Sequence, residues 1–510
     1  MSDASARRLD VPGLNEATAR PFPFDNSYAR LPERFYARLN PVPVAAPQLI
    51  RLNEDLARML RIDPAWLATP EGVAALAGGQ APPGSEPLAM AYAGHQFGNW
   101  VPQLGDGRAM LLGEVVGQDN VRRDIQLKGS GRTPFSRGGD GKAAIGPALR
   151  EYILSESMAA LGIPTTRSLA VVATGEWIMR EGPQHGAVLT RVAQSHVRIG
   201  TFQFFRNQGD DEALRLLADY VIARHYPEAA GSAQPYRALL DAVIDRTARL
   251  VARWQLVGFI HGVMNTDNMS IAGETIDYGP CAFMDFYDPA TVYSSIDRNG
   301  RYAYGNQPRI AHWNLSRLAE AMLPLLDADE DAAVAAAYVS LDRFAPQFEA
   351  AYHAGFGRKL GLTTAVEGDV ALAKDLLECM AEGRADFTLT FRRLSESAAA
   401  GSEADGLTRA LFENPLAFDA WAARWHQRLA QEGGPSPERR DAMRAVNPAF
   451  IPRNHQVQAV IAAAQEKSDF GPLDRLLGVL ARPYEDQPGF EVYADPPRPE
   501  EVVQATFCGT

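Results

Sequence analysis

The feature that most limits what this chain can fold into is a change of hydrophobic period near residue 200. From about Leu88 to Val192 the apolar residues come in short strand-like runs: Ala109–Val116, Asp124–Lys128, Leu169–Val172 and Ala187–Val192. One helical stretch interrupts them, from about Pro147 to Leu161. Its proline comes early, where a missing N–H costs least, and Gly162 and Pro164 follow its end. Beyond Phe202 the period is helical, in Leu214–Tyr226, Leu239–Val257, Leu315–Leu326, Ala332–Phe356, Val370–Glu382 and Arg453–Ala464. A strand-like island at His261–Phe286 is the exception. Strands followed by helices predict an α+β chain with two lobes, a strand-rich one carrying one helix and a larger helical one, with a cleft between them.

This divides the chain into an N-terminal extension and linker (1–87), a strand-rich lobe (88–200), a helical lobe (201–485) and a tail (486–510). The extension shows a helical pattern through Leu52, Leu56, Met59 and Leu60, then a connector dense in glycine and proline, Ala77–Pro87. The tail is proline-rich and acidic, and no repeat of fixed period is present.

Charge narrows the partners. The 510 residues carry 50 Lys and Arg against 62 Asp and Glu, a net charge of −12. Such a surface repels phosphate backbones and anionic lipid, which argues against nucleic acid or a membrane as the primary partner. Any bound anion needs a local basic pocket. Cys281, Cys379 and Cys508 make no disulfide framework and no Cys-x-x-Cys zinc pair. The opening residues are polar, and no run of about 18 apolar residues occurs, so a cytoplasmic protein is expected.

The basic pocket has a candidate. Gln126–Lys142 holds Lys128, Arg132, Arg137 and Lys142 against Asp140 alone, a local charge of +3 within a glycine-rich stretch that follows a strand. Free N–H groups and concentrated positive charge are what a polyphosphate needs. Upstream, Gly105 and Gly107 precede a strand and would let a backbone approach a ligand, although Asp-Gly is also a strong turn dipeptide. Two acids on the interrupting helix could meet Lys128, Glu151 and Glu156, and helical phase does not choose between them. Arg191 and Arg198 flank the junction of the lobes, placed either to fork onto phosphate or to bridge the lobes as ion pairs.

The richest cluster is Gly258–Ser270 followed by Ile276–Pro280. Asn268 and Asp277 offer two oxygen donors suited to Mg²⁺ or Mn²⁺, though a capped polar turn would use the same residue types. His-Gly-x-x-x-x-x-Asn with a later Asp-x-Gly resembles the catalytic loop and metal-binding Asp of kinases. One departure matters: the position of the kinase catalytic Asp, two after the His, is Val263, which accepts no proton. Asp267 is the nearby carboxylate that could replace it.

Taken together, these segments resemble the selenoprotein O, or YdiU, family of protein adenylyltransferases with a pseudokinase fold. The matching stretches are His95–Gly98, Gln103–Arg108, Gln126–Arg137, Leu161–Thr166, Gly262–Met269 and Asp277–Pro280, in family order. The resemblance implies a protein-kinase-like fold and transfer of AMP from ATP to Ser, Thr or Tyr hydroxyls of proteins, with pyrophosphate released. It implies ATP contacts at Gly105, Gly107, Arg108, Lys128, Asp140, Gly141, Arg191, Arg198 and Asp277. It further implies metal ligation by Asn268 and Asp277, proton acceptance by Asp267, and Glu151 as the partner of Lys128. ATP is implied to lie flipped relative to kinases, with its γ-phosphate in the basic pocket. The density of cations fits that independently, since a pyrophosphate leaving group needs such stabilisation. Cys508 stands where animal members carry selenocysteine, but the activation segment Phe286–Ser295 has no cysteine to pair with it, and Cys281 and Cys379 are expected to be small buried hydrophobes. The alternatives are a kinase with a displaced base, a silent ATP-binding scaffold, and transfer of UMP from UTP.

Overall fold

The computed structural model describes residues 21–507. The opening residues and Cys508 lie outside this range. The strand-rich region is one antiparallel sheet built from β1 (Tyr36–Arg38), β2 (Gln48–Leu52), β3 (Leu88–Met90), β6 (Ala109–Val116), β7 (Arg122–Lys128), β9 (Arg167–Met179) and β10 (Pro183–Ala193). Their order is β1-β3-β6-β7-β10-β9-β2, and the two-residue β8 (Ala143–Ala144) pairs with β10. A small hairpin, β4 (Gly94–Gln96) with β5 (Asn99–Val101), stands apart from it. The 1–87 segment supplies both edge strands of this sheet, with helices α1 (Glu54–Met59), α2 (Pro64–Leu67) and α3 (Pro70–Leu76) between β2 and β3.

The central strands β6 and β7 are buried along most of their length; β6 accordingly reads as a nearly continuous apolar run, whereas β7 alternates, with Asp124, Gln126 and Lys128 buried on its polar face. One face of the sheet packs on Leu56, Leu60, Leu67 and Leu76. The other receives α4 (Ile145–Ala160) through Leu149, Tyr152 and Ile153, backed by Val457, Ile461 and Leu473 from the C-terminal helices.

The helical region comprises α5 (Ile199–Asn207), α6 (Asp211–His225), α7 (Pro235–Leu256), α8 (Gln307–Leu326), α9 (Glu330–Leu341), α10 (Phe344–Lys359), α11 (Asp369–Glu382), α12 (Phe387–Ala400), α13 (Asp405–Arg409), α14 (Pro415–Ala430), α15 (Pro437–Arg444), α16 (Asn454–Lys467) and α17 (Gly471–Leu480). Its core is aromatic, with Trp254, Trp421 and Trp425 fully buried. Among the described residues no helix is long and apolar enough to cross a membrane.

Three local expectations are corrected. Leu52 closes a strand rather than opening a helix, because β2 pairs with β9. The single helix expected over Ala332–Phe356 is two, α9 and α10, broken at Asp342 and Arg343. The island at His261–Phe286 is mostly loop, contributing only β12 (Ala282–Phe283), which pairs with β11 (Phe259–Ile260). The tail beyond Asp486 runs along the surface and docks at Thr506, which bridges to Ser294 and donates its hydroxyl to Pro280 O at 2.5 Å.

Candidate active site

Sheet register builds the first half of the site. Arg191 on β10 stands opposite Gln126 on β7, so Lys128, two residues on, projects from the same face. α4 crosses that face and brings Glu151 between the two cations. Lys128 Nζ lies 2.5 Å from Glu151 Oε2, and Arg191 Nε donates to Oε1 at 2.5 Å. Burial disfavours the Glu151 carboxylate, but Arg191 and Lys128 outweigh it and hold the group below its usual range. Burial, reinforced by Arg191, lowers the Lys128 ammonium. Glu156 faces elsewhere: it accepts from Arg167 at 2.9 and 2.6 Å and from Ser168 N at 2.8 Å, in a separate cleft of about 610 Å³. Geometry thus answers what helical phase left open.

The second half comes from the loop between β11 and β12. His261 is fully buried, and its Nε2 donates to Ile276 O at 2.8 Å, tying the catalytic-type loop to the segment that carries Asp277. Asp277 adopts a left-handed conformation, φ 63°. Its Oδ1 accepts from Arg191 Nη2 at 2.5 Å and its Oδ2 from Arg198 Nη1. Burial is again overcome, and the two guanidiniums keep this carboxylate well below its usual range. Arg198 also donates to Asp267 O at 2.6 Å and lies 4.6 Å over the Tyr92 ring.

Asp267 differs from Asp277. Among the described residues its Oδ2 accepts from Gln96 Nε2 alone, at 3.2 Å, while Oδ1 is buried with no donor. Burial raises its carboxyl to about 6. Asn268 donates from Nδ2 to Val263 O at 3.0 Å, which leaves its side-chain oxygen to accept or ligate.

The glycine loop and the basic loop close over these groups. Gly105 has φ 71°, and a Cβ there would fall 2.3 Å from the Phe135 ring, so only glycine lets the loops meet. Thr133 Oγ1 donates to Asp106 O at 2.7 Å and Ser136 Oγ to Gly107 O at 2.5 Å. Asp140 accepts two bonds from Arg180, at 2.9 and 3.0 Å.

A cavity of about 700 Å³ results. It brings together the glycines Gly105, Gly107 and Gly141 with the cations Arg108, Lys128, Arg191 and Arg198. Asp140, Asp267, Asn268 and Asp277 line it too, while Glu151 lies beneath, behind Lys128. Tyr92, Gln96, Asp106 and Arg180 are among the lining residues that had no role in the sequence reading. Asp106 carried a signal, an acid between two glycines, but its apparent turn role hid it. In the structure it is buried, accepting from Met90 N at 3.1 Å and Gln126 Nε2 at 3.2 Å.

Against known families, the description "Protein adenylyltransferase SelO" matches residues 21–481. The chain belongs to the SelO family. Among its SelO-family relatives, "Protein nucleotidyltransferase YdiU" of Rhodopseudomonas palustris (strain BisB5) is 65% identical over 489 residues, covering 96% of this chain and 99% of the relative. Proteins of the same name from Bradyrhizobium sp. (strain BTAi1) and Methylorubrum extorquens are also 65% identical at the same coverage. Cys281, one of the free thiols of this SelO chain, is fully buried, and burial pushes it up to about 12.

Proposed function

We propose that this SelO-family chain is a nucleotidyltransferase that moves AMP from ATP onto Ser, Thr or Tyr hydroxyls of proteins and releases pyrophosphate. In this reading the strand-rich and helical regions are the two lobes of a protein-kinase-like fold. The observation that carries the reading is the convergence of buried Lys128, Arg191 and Arg198 on one cavity that also holds Asp277, while apolar Val263 occupies the kinase base position.

Asn268 and Asp277 would hold Mg²⁺ or Mn²⁺. Their side chains are oxygen donors facing the same cavity, and the described residues contain no cage of three or more His, Cys, Asp or Glu. Two protein oxygens completed by substrate phosphates is the usual arrangement for such a hard cation. The ion would supply charge neutralisation at the phosphates.

The protein's own groups do the rest. Arg191 and Arg198, now on Asp277, turn to phosphate oxygens when nucleotide enters, with Lys128 held in place by Glu151. The substrate hydroxyl oxygen bonds to the α-phosphorus, the bond from that phosphorus to the bridging oxygen breaks, and pyrophosphate leaves. The hydroxyl proton passes to Asp267, whose poorly solvated carboxylate is more basic than usual. The buried cations stabilise the charge developing on the leaving group.

ATP labelled at the α or the γ phosphorus tests the reading. Label is expected in protein from the α position alone, and γ label alone would make the chain a kinase. Competition by UTP in the same assay reports whether UMP is also transferred.

A further inference from the structure

Asp140 is out of place in a cavity built for an anion. A carboxylate facing phosphate oxygens repels them unless its charge is cancelled. Arg180, near the β9–β10 turn, cancels it: Nη1 donates to Oδ2 at 2.9 Å and Nη2 to Oδ1 at 3.0 Å. This is the fork-on-carboxylate arrangement that fixes position as well as charge. The same guanidinium donates to Lys142 O at 2.8 Å and to Met179 O at 2.7 Å, and its side chain is only 17% exposed.

The loop around Asp140 is otherwise closed on itself. Gly131 N donates to Gly141 O at 3.1 Å, Arg132 Nε to Gly139 O at 2.8 Å, and Lys142 N to Asp140 Oδ1 at 3.0 Å. Among the described residues, Arg180 is the one side chain from outside the loop that hydrogen-bonds residues 137–141. Gly138 and Gly139 are exposed and contribute no packing of their own. Within residues 137–141 the β9–β10 hairpin therefore acts through Arg180, while the neighbouring Lys142 is tied to it separately by Glu176 at 2.7 Å.

We propose that Arg180 is a positioning residue for nucleotide binding. It neutralises Asp140 and holds residues 137–141 against the cavity, so nucleotide affinity depends on the Arg180–Asp140 pair while the chemical step does not. The inference rests on the proposed function only in naming ATP as the ligand.

The test is a double-mutant cycle on the full chain, read by α-label incorporation and by calorimetric ATP binding. Arg180→Ala is expected to raise the ATP KM about tenfold with kcat within about twofold. Asp140→Ala also loses the fork but removes the repelling carboxylate, so it should raise the ATP KM less than Arg180→Ala does, and the double variant should match Asp140→Ala and be no worse than Arg180→Ala. Arg180→Lys, which keeps the charge but loses the fork, should fall between wild type and Arg180→Ala, and it serves as the readout if Arg180→Ala does not fold. An unchanged KM, a fall confined to kcat, or multiplying effects in the double variant would overturn the inference. If the wild type transfers no label, the calorimetric Kd replaces KM with the same outcomes, so failure of the transfer reading is separable.

Discussion

Arg191 donates to Asp277 Oδ1 at 2.5 Å, joining residues 86 positions apart in the chain. The contact closes a chain of charges from Lys128 through Glu151 and Arg191 to Asp277 that spans the strand-rich region and the loop below it.

Removing its end should separate metal binding from anion binding. Asp277→Asn is expected to abolish transfer and the metal dependence of nucleotide binding, yet to retain metal-free ATP binding, because Arg191 and Arg198 are released. Calorimetry with and without Mg²⁺ checks this. Full activity in the variant would show that the metal ligand lies elsewhere.

The two helix acids should behave differently. Glu151→Gln leaves the buried Lys128 and Arg191 without their shared counter-charge and should lower α-label incorporation at least about tenfold. Glu156→Gln weakens the Arg167 pair and should cost roughly 1–2 kcal/mol in urea unfolding while leaving the ATP KM unchanged.

Asp267 and Gln96 should affect turnover rather than affinity. Asp267→Ala is expected to lower kcat by about 10²-fold or more with ATP binding preserved. Gln96→Leu removes the donor to Oδ2 and should lower kcat by about tenfold. The β4–β5 hairpin has further anchors on this loop, His95 N to Thr266 Oγ1 at 2.7 Å and Phe97 N to Asn265 Oδ1 at 3.0 Å, so the variant should keep its fold. A matched rise in the ATP KM in either variant would point to a nucleotide-binding role instead.

Lys359 supplies a pH signature away from the cavity. It is buried, with its ammonium 4.3 Å over the Phe391 ring, and burial lowers it from 10.5 to about 7. Between those values the unfolded chain holds a proton that the folded chain does not, so this group adds stability as pH rises through the window. Lys359→Met should flatten that slope in melting curves taken across it, and an unchanged slope would assign the effect to other groups.

What could be foreseen followed from how local each signal is. β6 occupies Ala109–Val116, the residues of its apolar run, because a strand buried on both faces writes its burial into consecutive positions. α9 and α10 were merged because two alanine-rich helices carry the same period on either side of the break at Asp342 and Arg343. The pairing of β2 with β9 joins distant segments and leaves no trace in the pattern through Leu52. In the cavity, Lys128, Arg191, Arg198, Asn268 and Asp277 stood out through clustering or motif. Gln96 and Arg180 are single polar residues whose partners, Asp267 and Asp140, lie 171 and 40 positions away, and proximity of that kind exists only after folding.

The two edge strands carry a consequence for how the molecule is made. β1 and β2 are synthesised before any strand they pair with, since β3 and β9 both follow them. β1 can pair as soon as β3 emerges, but β2 must wait for β9, which begins only at Arg167, and until then its hydrogen-bonding edge stays open. Removing β1 and β2 from the finished protein would make β3 and β9 the borders of the sheet, and the 13-residue β9 would replace the 5-residue β2 as an adhesive edge.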